Sequence, residues 1–596
     1  MLNGRLYRAA LLPVVFALAI AAFSLTGRPR PLTATLAPDA FQGERAMSDL
    51  ASLQAQFPAR RPGSPGDQAL AERIAHTIEG LGGTAGGGFS VQIHSFSAQT
   101  IDGERTLTTV VAQRPGSTSE TPIVIVAHRD AAARGSQAEL SGTAALLELA
   151  RVFAARQTRR TIVLVSTSGG SGGAAGAADF VARLHGPVDA AIVLGDVAGT
   201  RLSRPFVVPF SDGYGSAPMQ LQRTVADAFT REAGTNPGAP SALGQLAHLT
   251  FPLTVGEQGP LNDAGLPSVL VQVSGERGPS AREPVSRERL QGSGRAVLSS
   301  VDALDAAHDV SSTPQTGVPM QRKTLPAWPL RLVVGALLLA PLIAILDGFA
   351  RMRRRRAPVG RWVLWTLTCA LPFFAAALFA YLIGALGILG AAPAAPVLPR
   401  ALPVDGSAAA AILAVALVFA LAWLQRRAIL GRLGWGTRPD PEVAGLSMLL
   451  VLLPLTVLVW ALNPFAALLL VPALHLWLLL ADPELRPRPA GAFALLALGL
   501  APIALLVVFY AHQLGLGPAD VPWMALQLVA GGHVGLLSAL LWSVAFGCAA
   551  TAVMLLLTEP EAPKRVSPDD FEIRIRGPMS YAGPGSLGGT ESALRR

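Results

Sequence analysis

Cysteine is nearly absent. The 596 residues hold two, Cys369 and Cys548, both inside apolar segments. Residues 29–320 hold none, so disulfides and cysteine-based zinc sites are excluded from that stretch. Charge is also scarce: 15% of the chain is Asp, Glu, Lys or Arg, and 51% is hydrophobic. Soluble domains carry about 25% charge, so much of this chain is suited to lipid. No Asp or Glu lies in the middle of an apolar segment after Trp328, and Asp347 is near an end. With no proton relay and no inverted repeat, a transporter is disfavoured. The net charge is +9, yet no basic stripe is interleaved with aromatics, which argues against nucleic acid as a partner.

The chain opens with an apolar run, Ala9–Leu25, behind Arg5 and Arg8. A cleaved signal peptide and a retained signal anchor both fit. No small-x-small cleavage site stands out, which favours an anchor within residues 1–28. Either way, the residues beyond this run lie outside the cytoplasm. Residues 29–320 alternate helical patterns with short β-rich runs. Strands are expected at Val91–Phe96, Leu107–Ala112, Ile123–Ala127, Thr161–Val165, Ala190–Leu194 and Val269–Val273. Helices are expected at Asp67–Gly82, Ser141–Ala155, Gly173–Leu184, Ala217–Glu232 and Arg287–Ala307. Continuous apolar strands between helices imply an α/β sheet buried on both faces.

Residues 326–558 read as a helical membrane domain. Seven apolar spans are expected: Leu330–Ala350, Trp362–Gly390, Ala408–Leu424, Val443–Leu462, Pro464–Ala481, Ala490–Tyr510 and Trp523–Leu557. Crossing a bilayer takes roughly 20 helical residues. The last span is too long for one straight crossing and is expected to begin with an interfacial piece before Gly531-Gly532. Arginines cluster after the first span (Arg351, Arg353, Arg354, Arg355, Arg356, Arg361) and in alternate turns (Arg426, Arg427, Arg432, Arg438; Arg486, Arg488). The other loops, Ala391–Ser407, Asn463 and Ala511–Pro522, carry Arg400 alone among Lys and Arg. By the positive-inside rule both termini are cytoplasmic and residues 29–320 extracytoplasmic. The tail, 559–596, is rich in Pro, Gly and Ser, holds Lys564 and Arg565, and is expected to be disordered.

The chemistry-bearing residues concentrate between Ile123 and Ala178. A buried strand runs into His128-x-Asp130. Ser141-Gly142-Thr143 opens an apolar helix. The strand Thr161–Val165 ends in Gly169-Gly170-Ser171-Gly172-Gly173. This layout resembles the M28 family of di-zinc exopeptidases. The resemblance covers residues ~45–310 and implies a zinc-exopeptidase-like mixed sheet flanked by helices, fused here to an α-helical polytopic membrane domain.

The resemblance also implies a ligand order: His-x-Asp, an Asp shortly before Ser-Gly, Glu-Glu, Asp and a late His. His128 matches the first metal ligand and Asp130 the orienting carboxylate, although His128 alone would read as a strand-capping histidine. The bridging Asp falls on Ala138, with Glu139 one residue along. The Glu-Glu pair, general base included, falls on Gly170 and Ser171, and no acidic residue lies between Arg160 and Asp179. Asp196 matches the next ligand. Glu257 and Gln258 replace an acid and a His in a segment where Pro260, Gly265 and Pro267 match. No late His follows Val269–Val273 before His308. His128 and Asp196 thus remain as candidate metal ligands, with Glu139 and Glu257 as possible extras. His128, Asp130, Gly170 and Ser171 form a vestigial catalytic site in which no catalytic residue is expected.

The whole-chain plan, anchor, M28-like domain and seven spans, resembles the attachment subunit of the eukaryotic GPI transamidase and the multi-span endoplasmic-reticulum M28 peptidases. The composition, rich in Arg, Ala, Gly and Pro, suits a high-GC bacterium, where GPI anchoring is not expected. The plan transfers and the pathway does not.

Ser171 matches the letters of a Gly-x-Ser-x-Gly elbow but reads as a glycine-rich loop left by a decayed catalytic loop. Without the Lys of a P-loop its use as a phosphate cradle is weak. His475 and His533 draw attention within or beside the spans. The expectation is a catalytically inactive membrane protein whose extracytoplasmic cleft serves as a binding or scaffold module. Its partners would be the bilayer and a peptide, membrane or envelope protein, and it would need no cofactor. The alternative is an active zinc aminopeptidase with a rearranged site.

Overall fold

The computed structural model describes residues 4–82, 88–389, 393–435, 441–481 and 488–557. The expected tail, Arg438, Arg486, Lys564, Arg565 and the end of the second span lie outside them.

Seven strands form the main sheet: β1 (Ser90–Thr100), β2 (Gly103–Arg114), β3 (Ile123–His128), β4 (Ile162–Thr167), β5 (Ala190–Leu194), β6 (Val207–Val208) and β7 (Ser268–Val271). Their order is β1-β2-β4-β3-β5-β7-β6. The central four, β4, β3, β5 and β7, run parallel, and the hairpin β1-β2 and the short β6 close the edges antiparallel. The sheet is therefore mixed, as expected.

Strands β3, β4 and β5 are buried along their whole length. Alternate residues explain why. Ile123, Ile125, Ile162, Leu164, Ile192 and Leu194 join one core with the helices Gly43–Gln56, Gln137–Ala154, Met219–Glu232 and Arg287–Ala306. Val124, Val126, Val163, Val165 and Val193 face the other way, onto Ala177 and Phe180 of the helix Ala175–Arg183. Apolar side chains on both faces are what a sheet covered by helices on both sides requires.

From β3 the chain crosses to β4 on one side, then to β5 on the other. The carboxyl end of β3 is thus a topological switch point, where an open α/β sheet leaves a crevice. His128 is the last residue of that strand.

Among the described residues seven helices are long and apolar enough to cross a membrane: Ala327–Arg354, Val359–Ala385, Gly406–Arg432, Glu442–Leu462, Pro464–Ala481, Pro489–Leu514 and Leu536–Leu557. The long last run divides as anticipated: Asp520–Ala530 is a separate helix, and the chain turns at Gly531-Gly532 before Leu536. Near the N-terminus Tyr7–Phe23 is apolar but shorter. Its Val14, Ala17 and Ala21 pack on Val333 and Ala336 of the first long helix, and the Tyr7 hydroxyl pairs with His475 Nδ1. His475 Nε2 lies 3.0 Å from the Leu337 carbonyl, so this histidine ties helices together.

The sheet and the apolar helices fall in one compact unit, residues 1–556. Asn463 Nδ2 donates to the Leu249 carbonyl at 2.9 Å. The loop from Pro393 reaches back over the sheet, where the Ala395 amide donates to the Gly173 carbonyl at 2.8 Å.

Candidate functional site

A cavity of about 160 Å³ opens at the carboxyl ends of the central strands. His128, Glu139, Gly170, Ser171 and Glu257 line it. The helical region supplies Leu398, Arg400 and Ala401 to the same wall.

Each side chain is held by a specific local device. Thr143, in the helix Gln137–Ala154, donates its hydroxyl to the His128 carbonyl at 2.8 Å. That bond fixes the strand end against the helix start. Asp130 accepts from the amides of Gly170 and Ser171, both at 3.0 Å, and from the Ser171 hydroxyl. The carboxylate matched to an orienting role thus holds the glycine-rich loop itself, and the hydroxyl of Ser171 is committed to it.

Glu257 approaches from the far side. Its Oε1 accepts from Thr167 Oγ1, at the end of β4, at 2.6 Å. Its Oε2 is buried without a hydrogen-bond partner and lies 3.8 Å from His128 Nδ1, too far for a hydrogen bond. Burial pushes the pKa of the Glu257 carboxyl up to about 8 and lowers that of the His128 imidazole, because a low-dielectric site penalises the charged form of each. At neutral pH this is largely a neutral pair. Glu139 is raised to about 7, first by burial and then by the nearby charge of Asp130, and its Oε2 is also unpartnered.

Asp196 is fully buried and is not part of the cavity wall. Its Oδ1 accepts from the amides of Ala198 (3.2 Å) and Gly199 (2.7 Å). Burial raises it to about 6, and its Oδ2 has no hydrogen-bond partner. The structure therefore brings His128, Glu139 and Glu257 to one cavity, and Asp196 is not among the residues that line it.

Sequence reasoning missed the frame below the site. Arg129, the residue between His128 and Asp130, is fully buried and pairs with Asp67 at 2.9 Å. It also donates to the carbonyls of Ser166 (3.2 Å) and Thr108 (2.7 Å). Arg60 donates to the Arg129 carbonyl at 3.0 Å. The signal was available: an arginine two residues past the apolar run Ile123–Ala127 must find a partner where it is buried.

The Peptidase family M28 profile matches residues 109–245. Solved structures similar to this chain include BSAP, a zinc aminopeptidase from Bacillus subtilis, at 13% identity and a TM-score of 0.34, covering 46% of this chain and 98% of that one. An aminopeptidase from Aneurinibacillus sp. strain AM-1 gives 13% identity and a TM-score of 0.35, covering 46% and 97%. Porphyromonas gingivalis glutaminyl cyclase gives 16% and 0.32, covering 44% and 99%. No match was found among the curated proteins.

The family resemblance implies zinc, and the residues present do not fit it. Among the described residues no three His, Cys, Asp or Glu side chains converge as metal ligands, whereas a catalytic zinc takes three protein ligands.

Proposed function

We propose that this chain is an integral membrane protein whose M28-like part is a catalytically inactive binding module. The cleft at the end of β3 receives a peptide, or a segment of a membrane or envelope protein, and does not cleave it. Gly170 carries this reading. A glycine stands where the resemblance requires the general base, and the space beside it is filled by His128 and Glu257: a Cβ on Gly170 would lie 2.3 Å from His128 Cβ and 3.0 Å from Glu257 Cδ. A general base alone supplies ~10²–10⁴-fold, and a metal-activated water supplies more.

The apolar helices and the arginine distribution support a bacterial plasma-membrane protein with residues 29–320 outside and both termini inside. The plan shared with the GPI transamidase attachment subunit extends to architecture, and no GPI pathway is proposed.

A second reading, a zinc exopeptidase with a rearranged site, draws on one observation. Among the described residues Glu139, Glu257 and Asp196 each carry a buried, unpartnered carboxyl oxygen, and the first two line the cavity of His128. Peptide hydrolysis by the purified full chain decides between the two. With aminoacyl chromogenic substrates and added zinc, we expect turnover equal to buffer and unchanged in His128→Ala. Turnover abolished by that substitution would establish the second reading.

A further inference from the structure

Arg277 and Arg400 both line the cleft, one from the loop after β7 and one from the loop between two apolar helices. Among the described residues neither is in an ion pair. They lie close together. Arg400 Nη1 donates to the carbonyls of Gly278 and Pro279, each at 3.3 Å, which brings it against the Arg277 loop. A Cβ on Gly515 would lie 3.5 Å from both Arg277 Cδ and Arg400 Nη2. Arg400 is the only Lys or Arg in the three loops that the positive-inside rule depletes. Two guanidinium groups at one mouth, with Glu139 the acidic group whose charge acts on Arg400, are an arrangement suited to an oxyanion, since the planar fork of Arg matches phosphate and carboxylate geometry.

Two further observations define what such an anion would belong to. In the wall of the same cavity, Glu139 Oε2 and Glu257 Oε2 are buried with no hydrogen-bond partner among the described residues. An unpaired buried polar atom is costly, so a ligand with a polar group that hydrogen-bonds there is favoured. Gly515 caps the apolar helix Pro489–Leu514, so the arginines sit at the end of a candidate span, the level at which headgroup phosphates lie.

We propose that Arg277 and Arg400 form a composite anion site at the mouth of the cleft. It takes the phosphate of a lipid headgroup or of a free phosphate ester, whose other end forms hydrogen bonds with Glu139 and Glu257. This rests on the reading of the cleft as a binding site. It requires both parts of the chain, because each supplies one arginine.

The test uses the full chain in neutral detergent. Inorganic phosphate is titrated by calorimetry. In a parallel arm, nanodiscs of phosphatidylcholine with or without phosphatidylglycerol report lipid bound per chain. Arg277→Gln and Arg400→Gln are each expected to weaken binding about tenfold or more, and Arg400→Lys to restore part of the loss, as expected when a charge-assisted contact is removed or partly kept. Binding of free phosphate identifies a soluble ester; binding of phosphatidylglycerol alone identifies a headgroup. If neither binds, or if both Gln variants bind like the parent, the site is refuted. Should Arg400→Gln fail to fold, Arg277→Gln gives the same readout. Peptide turnover would overturn the binding-module reading without touching this result, and absent anion binding would overturn this inference alone.

Discussion

Glu257 sits where a side chain on Gly170 would point: a Cβ at that glycine would be 3.0 Å from the Glu257 carboxyl carbon. The loop on which the resemblance places a Glu-Glu pair holds no acid, and Glu257, from a segment distant in sequence, takes the space. The Glu257 carboxyl is anchored by Thr167 and faces the imidazole as a neutral group.

The same geometry predicts that Gly170 cannot be restored to the residue the resemblance requires. Gly170→Ala places a methyl 2.3 Å from His128 Cβ. Overpacking of this kind costs about 1–3 kcal/mol. Chemical denaturation should show that loss, with Gly170→Glu losing more.

Arg129 and Asp67 are both fully buried, 2.9 Å apart. Removing one partner of such a pair costs about 3–5 kcal/mol, because the other charge is left uncompensated. Arg129→Met should therefore be strongly destabilised, and the double change Arg129→Met with Asp67→Leu should recover much of the loss. Thermal unfolding of the full chain checks both.

Sequence patterning locates the central sheet because its strands are apolar without interruption: the run Ala190–Leu194 is a strand with those same bounds. The outer hairpin runs further than Val91–Phe96 and Leu107–Ala112 suggest. Pairing continues from Ser90 opposite Gln113 to Thr100 opposite Gly103, through polar residues that carry no hydrophobic signal. The helix Gly43–Gln56 is missing from the expected elements although its buried positions, Ala46, Leu50 and Leu53, recur at helical spacing. At the site, His128 and the emptied loop are legible because they adjoin strands. The approach of Glu257 and the reach of Arg400 are not, because both depend on how distant segments pack.

Asp212 gives a pH dependence. Burial, with Asp263 and Glu276 nearby, raises its carboxyl to about 8, against an ordinary value near 3.8. Between those values the unfolded chain has released this proton and the folded chain retains it. Stability from this group is therefore present at low pH and lost as pH rises toward 8, by up to ~1.4 kcal/mol per pH unit. Asp212→Asn has no such proton. Its melting temperature relative to the parent should climb steadily from pH 5 to pH 8.

Both native cysteines are buried, so introduced cysteines report topology without background. Glu104 and Arg354 are exposed, one on the β2 strand and one at the end of the first long helix. A membrane-impermeant maleimide should label Glu104→Cys once the outer surface is accessible, and Arg354→Cys only after lysis. The reverse pattern would invert the proposed orientation.

Zinc content tests the central claim most directly. The full chain is purified, incubated with excess zinc, desalted and measured by mass spectrometry beside His128→Ala. The account predicts zinc near zero in both. One or more tightly held zinc ions per chain, lost on replacing His128, would contradict it and make Glu139 and Glu257 the next residues to test for hydrolysis.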